Sequence, residues 1–401
     1  MSLPRPPPVA VRALAGLVIA AALAVRLCLL GRQSYWIDEL FSVNQAAGPF
    51  GTMLSRGSTE VHPPLYAAML WIWITIGGPG EAWTRLLSTA CAVLAVVVTH
   101  QGLRGVRLGG EVRWALTAAT AASGVSIVYS LDTRPYALLL LGSVGLTAAT
   151  LRSALCMLDG RPLRRGVYAA WTAWSLLAAT SHLFGAFLTL GAASVLAAVG
   201  LRSDARDRGR RAGTWAGLAA AGCSAQIAWL VSGVTRPGFA SGTAWIQAPD
   251  GQDVWDLVTT TFGSGGLTPR SDGFAWTSPA GVIMMIGVIG GAALPLVAAR
   301  LGYPARSAVA ATTSEAAAAA VLLAVATVVT GSAFVLAQWT HVWTLRNLVV
   351  VTPALAWGAI CLAASAARSA AGRGRVGAVA VAMLGLLLVP TTLDLRAPYK
   401  T

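Results

Sequence analysis

Long apolar runs separated by short polar stretches dominate the chain. Runs of roughly 20 residues recur near 9–30, 83–103, 112–129, 136–158, 167–184, 185–201, 212–233, 277–299, 314–337, 347–367 and 376–393. As a helix, each reaches across most or all of the roughly 30 Å hydrocarbon core of a bilayer. The pattern predicts an all-α integral membrane protein of about eleven spanning helices. A further run at 65–77, "LYAAMLWIWITIG", is apolar but short for a span, and arginine position decides whether it crosses.

If 65–77 stays on one side and the amino terminus, with Arg5 and Arg12, is cytoplasmic, the loops 104–113, 159–166, 202–211, 300–313 and 368–375 are cytoplasmic. They hold Arg104, Arg107, Arg113, Arg161, Arg164, Arg165, the cluster from Arg202 to Arg211, Arg300, Arg306, Arg368, Arg373 and Arg375. Every basic loop then falls on one face, as orientation by positive charge requires. If 65–77 crossed, the later loops would invert. The segment is therefore expected to lie as a helix in the outer interface, with Trp71 and Trp73 at headgroup level. The first run has no small-residue cleavage pattern and is expected to remain as an anchor.

Composition agrees with this class. Of 401 residues, 56% are hydrophobic and 11% charged, too much apolar surface for one soluble core. The net charge of +14 rests on arginine, Lys400 being the only lysine. With the heavy Ala and Gly usage this points to a GC-rich bacterial genome; the arginines form no continuous patch for nucleic acid. Cys28, Cys91, Cys156, Cys223 and Cys361 sit inside apolar runs without pairing or metal-ligand spacing, and read as small buried residues.

The expected organisation is a single polytopic domain over 1–401 in the plasma membrane, with no separate soluble domain. Its external segments are a first loop at 31–82 carrying interfacial helices, turns at 129–136 and 181–185, a longer loop at 234–276 and an approach at 338–346. Nearly all polar residues without an orientation role fall in them, and Asp38, Glu39, Glu60, His62, Arg85, Asp132, Arg134, His182, His341 and Arg346 are all placed at the outer membrane face. The active face is expected outside.

Singly, each motif has a plain structural role. The acids of "WIDE" suit the first turn of a helix, the prolines of "VHPPLY" suit a helix entry, Arg85 can snorkel at a span end, and Asp132 with Arg134 can be a weak surface pair. Together they place carboxylates, a histidine and several arginines at one membrane face. Ionisable groups near lipid are costly and tend to be retained for function, and an arginine fork fits a phosphate. A carboxylate base beside a phosphate-binding cluster at the bilayer surface suits a lipid-linked phosphosugar.

The ordered series "WIDE", "HPPLY", "TRLLSTACAVLAVVV", "YSLDTRPYALLLL", "TSHLFGAF" and "LRNLVVVTPALAW" resembles the GT-C glycosyltransferases of the protein O-mannosyltransferase and aminoarabinose-transferase type, over nearly the whole chain. The resemblance implies a GT-C fold and transfer of a sugar, mannose or another hexose or pentose, from a polyprenyl-phosphate donor to an acceptor hydroxyl with inversion. The acceptor would be a protein, glycan, glycolipid or metabolite. Position by position it implies Asp38 as the base with Glu39 as a positioning partner, the division between the two being open. His62, Arg85 and Arg134 would meet the donor phosphate, and Glu60, Asp132, Tyr136, His182 and Arg346 would line the pocket. Pro135 and Val61 depart from the family's pattern at their positions.

No nucleotide cofactor is implied, and a divalent metal is not favoured because the acids lack a ligand cluster. The loop 234–276, with Trp245, Asp250, Asp253, Trp255 and Asp256, is either an acceptor contact or an interfacial amphipathic segment. The alternative from another class is a transporter or flippase of an anionic lipid-linked substrate. It predicts internal repeats and midplane charges, whereas no clear repeat is seen and the charges lie at span ends.

Overall fold

The computed structural model describes residues 9–201, 205–239, 241–262, 314–366, 376 and 378–382. Among them all regular structure is helical. Seven helical stretches are long and apolar enough to cross a membrane: Val9–Leu29, Glu81–Gly102, Tyr136–Leu158, Leu183–Gly200, Gly209–Gly233, Ser314–Ala337 and Asn347–Ala366. The chain is a multi-pass membrane protein. The expected spans at 277–299 and 376–393 lie wholly or mostly outside the described residues.

In chain order the helices are α1 (Val9–Leu29), α2 (Ile37–Ala46), α3 (Phe50–Arg56), α4 (Leu65–Gly77), α5 (Glu81–Gly102), α6 (Gly110–Ala122) and α7 (Gly124–Ser130). There follow α8 (Tyr136–Leu158), α9 (Arg165–Ser181), α10 (Leu183–Gly200), α11 (Ala205–Gly233), α12 (Gly251–Phe262) and α13 (Ser314–Ala337). A 3₁₀ turn (Asn347–Val351) leads into α14 (Thr352–Ala366).

Two expected spans take other forms. The run at 112–129 is broken into α6 and α7, because Ser123 is extended and its Oγ accepts the Ser126 N–H at 3.2 Å as the cap of a new helix. The run at 167–184 becomes α9, a helix of 17 residues. Helix α4 has 13 residues, about 20 Å at 1.5 Å per residue, shorter than the hydrocarbon core. It is tied to its surroundings by indoles. Trp71 Nε1 donates to the Gly48 carbonyl at 2.9 Å. Trp73 and Trp83 stack and each donates to the other's carbonyl, at 2.7 and 2.8 Å.

Helix α8 is the centre and almost wholly buried, whereas α1 and the stretch Gly209–Gly233 of α11 lie at the periphery and are mostly not buried. Glycine lets α8, α9 and α10 approach closely: a Cβ on Gly142 would stand 2.8 Å from the Ala178 Cα, and one on Gly185 would collide with the Ala178 carbonyl oxygen. Gly31 ends α1 at φ +76° against Ala82 of α5, a left-handed conformation that favours glycine.

The two ends of the bundle differ in chemistry. At one end, Arg107 and Arg161 pair with Asp159, and Glu315 Oε1 accepts the Gly109 N–H at 3.0 Å. These contacts gather the basic turns after α5 and α8 with the start of α13. At the other end, α2 to α4, the starts of α5, α8, α10 and α14, and the ends of α7, α9 and α11 meet around the residues described next. Cys91, Cys223 and Cys361 are buried in the bundle as expected, whereas Cys28 of α1 is exposed and Cys156 half-buried; all five cysteines are free.

Candidate active site

The site begins at the amino terminus of α2. Asp38 and Glu39 occupy its first turn, where negative charge is favoured by the unpaired N–H groups of the helix start. Consecutive helical positions diverge in direction, so the two acids meet different partners.

Glu39 points inward and is 1% exposed. Arg85, one turn into α5, grips it with Nε at 2.8 Å and a terminal nitrogen at 2.5 Å. The same guanidinium donates to the carbonyls of Gln33 and Ser34 at 2.6 and 3.2 Å. Glu39 also accepts the N–H of Thr133 at 2.8 Å and of Trp36 at 3.3 Å. Both members of this buried pair are fully engaged, and they fasten the first loop, α5 and the turn before α8 to one another.

Asp38 points the other way, and its side chain is 32% exposed. Its Oδ2 accepts from Arg346 at 2.6 Å. Arg346 immediately precedes the 3₁₀ turn and lies over the Trp36 ring, 5.1 Å from the centroid. Burial works against the Arg346 charge, but the neighbouring Tyr136 and Asp38 outweigh it and hold the guanidinium above its ordinary pKa.

Arg134 donates to the Asp38 carbonyl at 3.3 Å and to Ser42 Oγ at 3.0 Å, while its buried Nε has no partner among the described residues. Burial again opposes its charge, and Tyr136, Asp38, Asp132 and Glu60 overcome it, so its pKa is raised. Pro135, the departure noted in the sequence, has φ −66° and begins α8 without strain. Arg134 lines a cavity of about 50 Å³ with Ser42, Glu60, His62, Pro135 and Ser181. Glu60 is pushed above the ordinary carboxylate range by burial, with Arg134 opposing and Asp38 adding to the shift.

Asp132 is buried and accepts from Trp36 Nε1 at 3.0 Å. Burial, then the charge of Glu39, pushes its carboxyl up to about 7. His62 and His182 stack with centroids 3.9 Å apart and cap the start of α10. The Leu183 N–H donates to His62 Nδ1 at 3.3 Å and the Phe184 N–H to His182 Nδ1 at 3.2 Å. Both rings are neutral, with the proton on Nε2. Burial, followed by Arg134, drives His62 down to about 3; burial, followed by His62 and Arg134, drives His182 well below its ordinary value. The Tyr136 ring lies 5.8 Å from that of His182.

All ten residues expected from the sequence thus occupy one connected region. Others in it were not anticipated. Trp36 bridges Asp132 and Arg346. Ser42 holds Arg134. Gln226 and Trp229 near the end of α11 and Arg236 in the turn after it donate to the carbonyls of Val61, Glu60 and Ser58 at 2.9, 2.8 and 3.2 Å, pinning the segment that presents Glu60 and His62. A lone buried glutamine in an apolar span was the available signal for this strap. In the later loop, Asp250 accepts the N–H groups of Gln252 and Asp253 and caps α12. Among the described residues no three His, Cys, Asp or Glu side chains converge as metal ligands.

The helical bundle has the fold of a solved ArnT structure. Two structures of ArnT from Cupriavidus metallidurans are among the solved structures that it resembles. The apo form is 16% identical with a TM-score of 0.48, covering 88% of this chain and 59% of that one. The form bound to undecaprenyl phosphate is 16% identical with a TM-score of 0.52, covering 95% of this chain and 75% of that one, and it is this second likeness that establishes the common fold. No family model matches the sequence, and no curated protein matches it.

Proposed function

We propose that the chain is a membrane glycosyltransferase that moves a sugar from a polyprenyl-phosphate carrier to an acceptor hydroxyl, with inversion at the anomeric carbon. The observation that carries this reading is Arg134, which lines a cavity with Glu60 and His62, donates to the Asp38 carbonyl, and has a buried Nε without a partner among the described residues. An unsatisfied buried donor is costly, and a phosphate oxygen would satisfy it. The fold is in keeping, since the ArnT structure it resembles holds undecaprenyl phosphate.

In this reading Asp38 is the base. It takes the acceptor hydroxyl's proton as that oxygen attacks the anomeric carbon, the bond from that carbon to the phosphate oxygen breaks, and the carrier leaves as polyprenyl phosphate. Arg134 and Arg346 balance the charge that develops on the leaving phosphate, and the Nε2–H of His62 can donate to it as a neutral group. Glu60, Asp132, Tyr136 and His182 shape the pocket. Arg85 moves from phosphate ligand to framework, because its guanidinium is already engaged by Glu39 and two carbonyls. That same engagement supports Asp38 over Glu39 as the base. With the basic turns at the opposite end of the bundle, the site faces outward from the plasma membrane.

Equilibrium binding of undecaprenyl phosphate and of undecaprenol to the purified protein tests the phosphate site. The wild type is expected to prefer the phosphate, and Arg134→Ala to lose about tenfold or more of that affinity, as for a charged hydrogen bond of about 1.5–3 kcal/mol. Equal binding of alcohol and phosphate, unchanged by the substitution, would remove the basis of the reading.

A further inference from the structure

Tyr35 and Trp36 are consecutive, and each lies beneath one of the two arginines that neutralise the acids of α2. Arg85 lies 5.4 Å from the Tyr35 ring centroid and binds Glu39; Arg346 lies 5.1 Å from that of Trp36 and binds Asp38. Each ring is itself anchored at its polar tip. Tyr35 Oη donates to the Pro79 carbonyl at 2.7 Å, and Trp36 Nε1 donates to Asp132 at 3.0 Å.

The two arms differ in what else holds the arginine. Arg85 has four hydrogen bonds and a side chain 4% exposed. Arg346 has the bond to Asp38 and a side chain 28% exposed. A partly exposed ion pair fixes a long side chain weakly, so the indole face supplies the restraint that the buried arm obtains from carbonyls.

We propose that Trp36 is a positioning residue: its ring holds Arg346 on Asp38, and Asp132 holds the ring, so that the turn at 131–135 and the proposed base are aligned through one indole. The proposal rests on the glycosyl-transfer reading for its kinetic consequence, though not for its geometry. A tryptophan with no such role would serve only to cap the first loop, and its loss would act independently of Arg346.

The test compares Trp36→Leu, Trp36→Phe, Arg346→Ala and the double variant Trp36→Leu/Arg346→Ala in sugar transfer from a polyprenyl-phosphate donor. Trp36→Leu is expected to lower kcat by roughly five- to thirtyfold, the span of a desolvated cation–π contact, with the donor KM within about twofold. Trp36→Phe, which keeps a ring face, is expected to recover most of the rate, and the double variant to be no slower than Arg346→Ala alone. Additive losses, or a Trp36→Phe as slow as Trp36→Leu, overturn the proposal. Fluorotryptophan NMR reads the same geometry without turnover. The Trp36 resonance, identified by its loss in Trp36→Phe, is expected to shift in Arg346→Ala and in Asp132→Ala, and to stay in place in Arg161→Ala at the other end of the bundle. An unmoved resonance in Arg346→Ala overturns the positioning claim even in an active enzyme. Shifts as expected in a protein that transfers no sugar leave the positioning intact and defeat the glycosyl-transfer reading instead.

Discussion

Asp38 and Arg346 lie 308 residues apart in the chain, and their side chains meet at 2.6 Å. The contact joins the first loop to the start of the last described long helix, and it leaves Asp38 accessible where the adjacent Glu39 is sealed. If Asp38 takes the acceptor proton, Asp38→Asn lowers turnover by about a hundredfold or more with the donor still bound. Steady-state rates with a polyprenyl-phosphate sugar check this, and a near-normal rate excludes Asp38 as the base.

Glu39 and Arg85 are expected to act on stability. Removing either partner leaves the other charge buried, at a cost of about 3–5 kcal/mol, whereas replacing both by apolar residues of similar size costs less than the sum. Thermal unfolding in detergent of Glu39→Leu, Arg85→Met and the double variant measures this. Strictly additive losses would show that the pair is not the unit described here.

How much of this arrangement was legible in the sequence depends on the range of the interaction. Apolar runs report helices directly, so α1, α5, α8 and α13 coincide closely with expectation. Local caps are averaged away by a long window. "SG" at Ser123 and Gly124 was the sign that one run becomes two helices, and the β-branched run Val349–Val351 disfavours a regular α-helical start to α14. The acids of "WIDE" were visible as a pair, but the division between them was not. It is set by Arg85 and Arg346, whose distance from α2 is decided by packing. Trp36 passed unnoticed because an aromatic at a membrane edge has a common interfacial explanation.

Asp132 makes stability depend on pH in a stated direction. Its carboxyl, raised from 3.8 to about 7, binds more protons folded than unfolded across that interval. Its contribution is complete below about 3.8 and is lost as pH rises through about 7. The melting temperature of Asp132→Asn relative to wild type should therefore climb between pH 4 and 7.5 and level off above. A constant difference across that range contradicts the assignment.

The paired histidines act with the opposite sign. His182 is held neutral and well below its ordinary 6.5, so its contribution is present above about 6.5 and declines as pH falls. Asparagine at this position retains an acceptor for the start of α10 and cannot be protonated. His182→Asn should lose less stability than wild type between pH 6.5 and 4, read by the same unfolding assay. An unchanged acid loss would place the titrating group elsewhere.

The proposed reaction is the transfer of a carrier-linked sugar. Purified protein incubated with radiolabelled undecaprenyl-phosphate sugars and a cell-envelope extract measures it directly. The expected result is a labelled glycoside of inverted anomeric configuration, formed by the wild type and about a hundredfold or more slowly by Asp38→Asn. No transfer from any of these donors, with the intact sugar lipid instead carried across a proteoliposome membrane, would rule that reaction out.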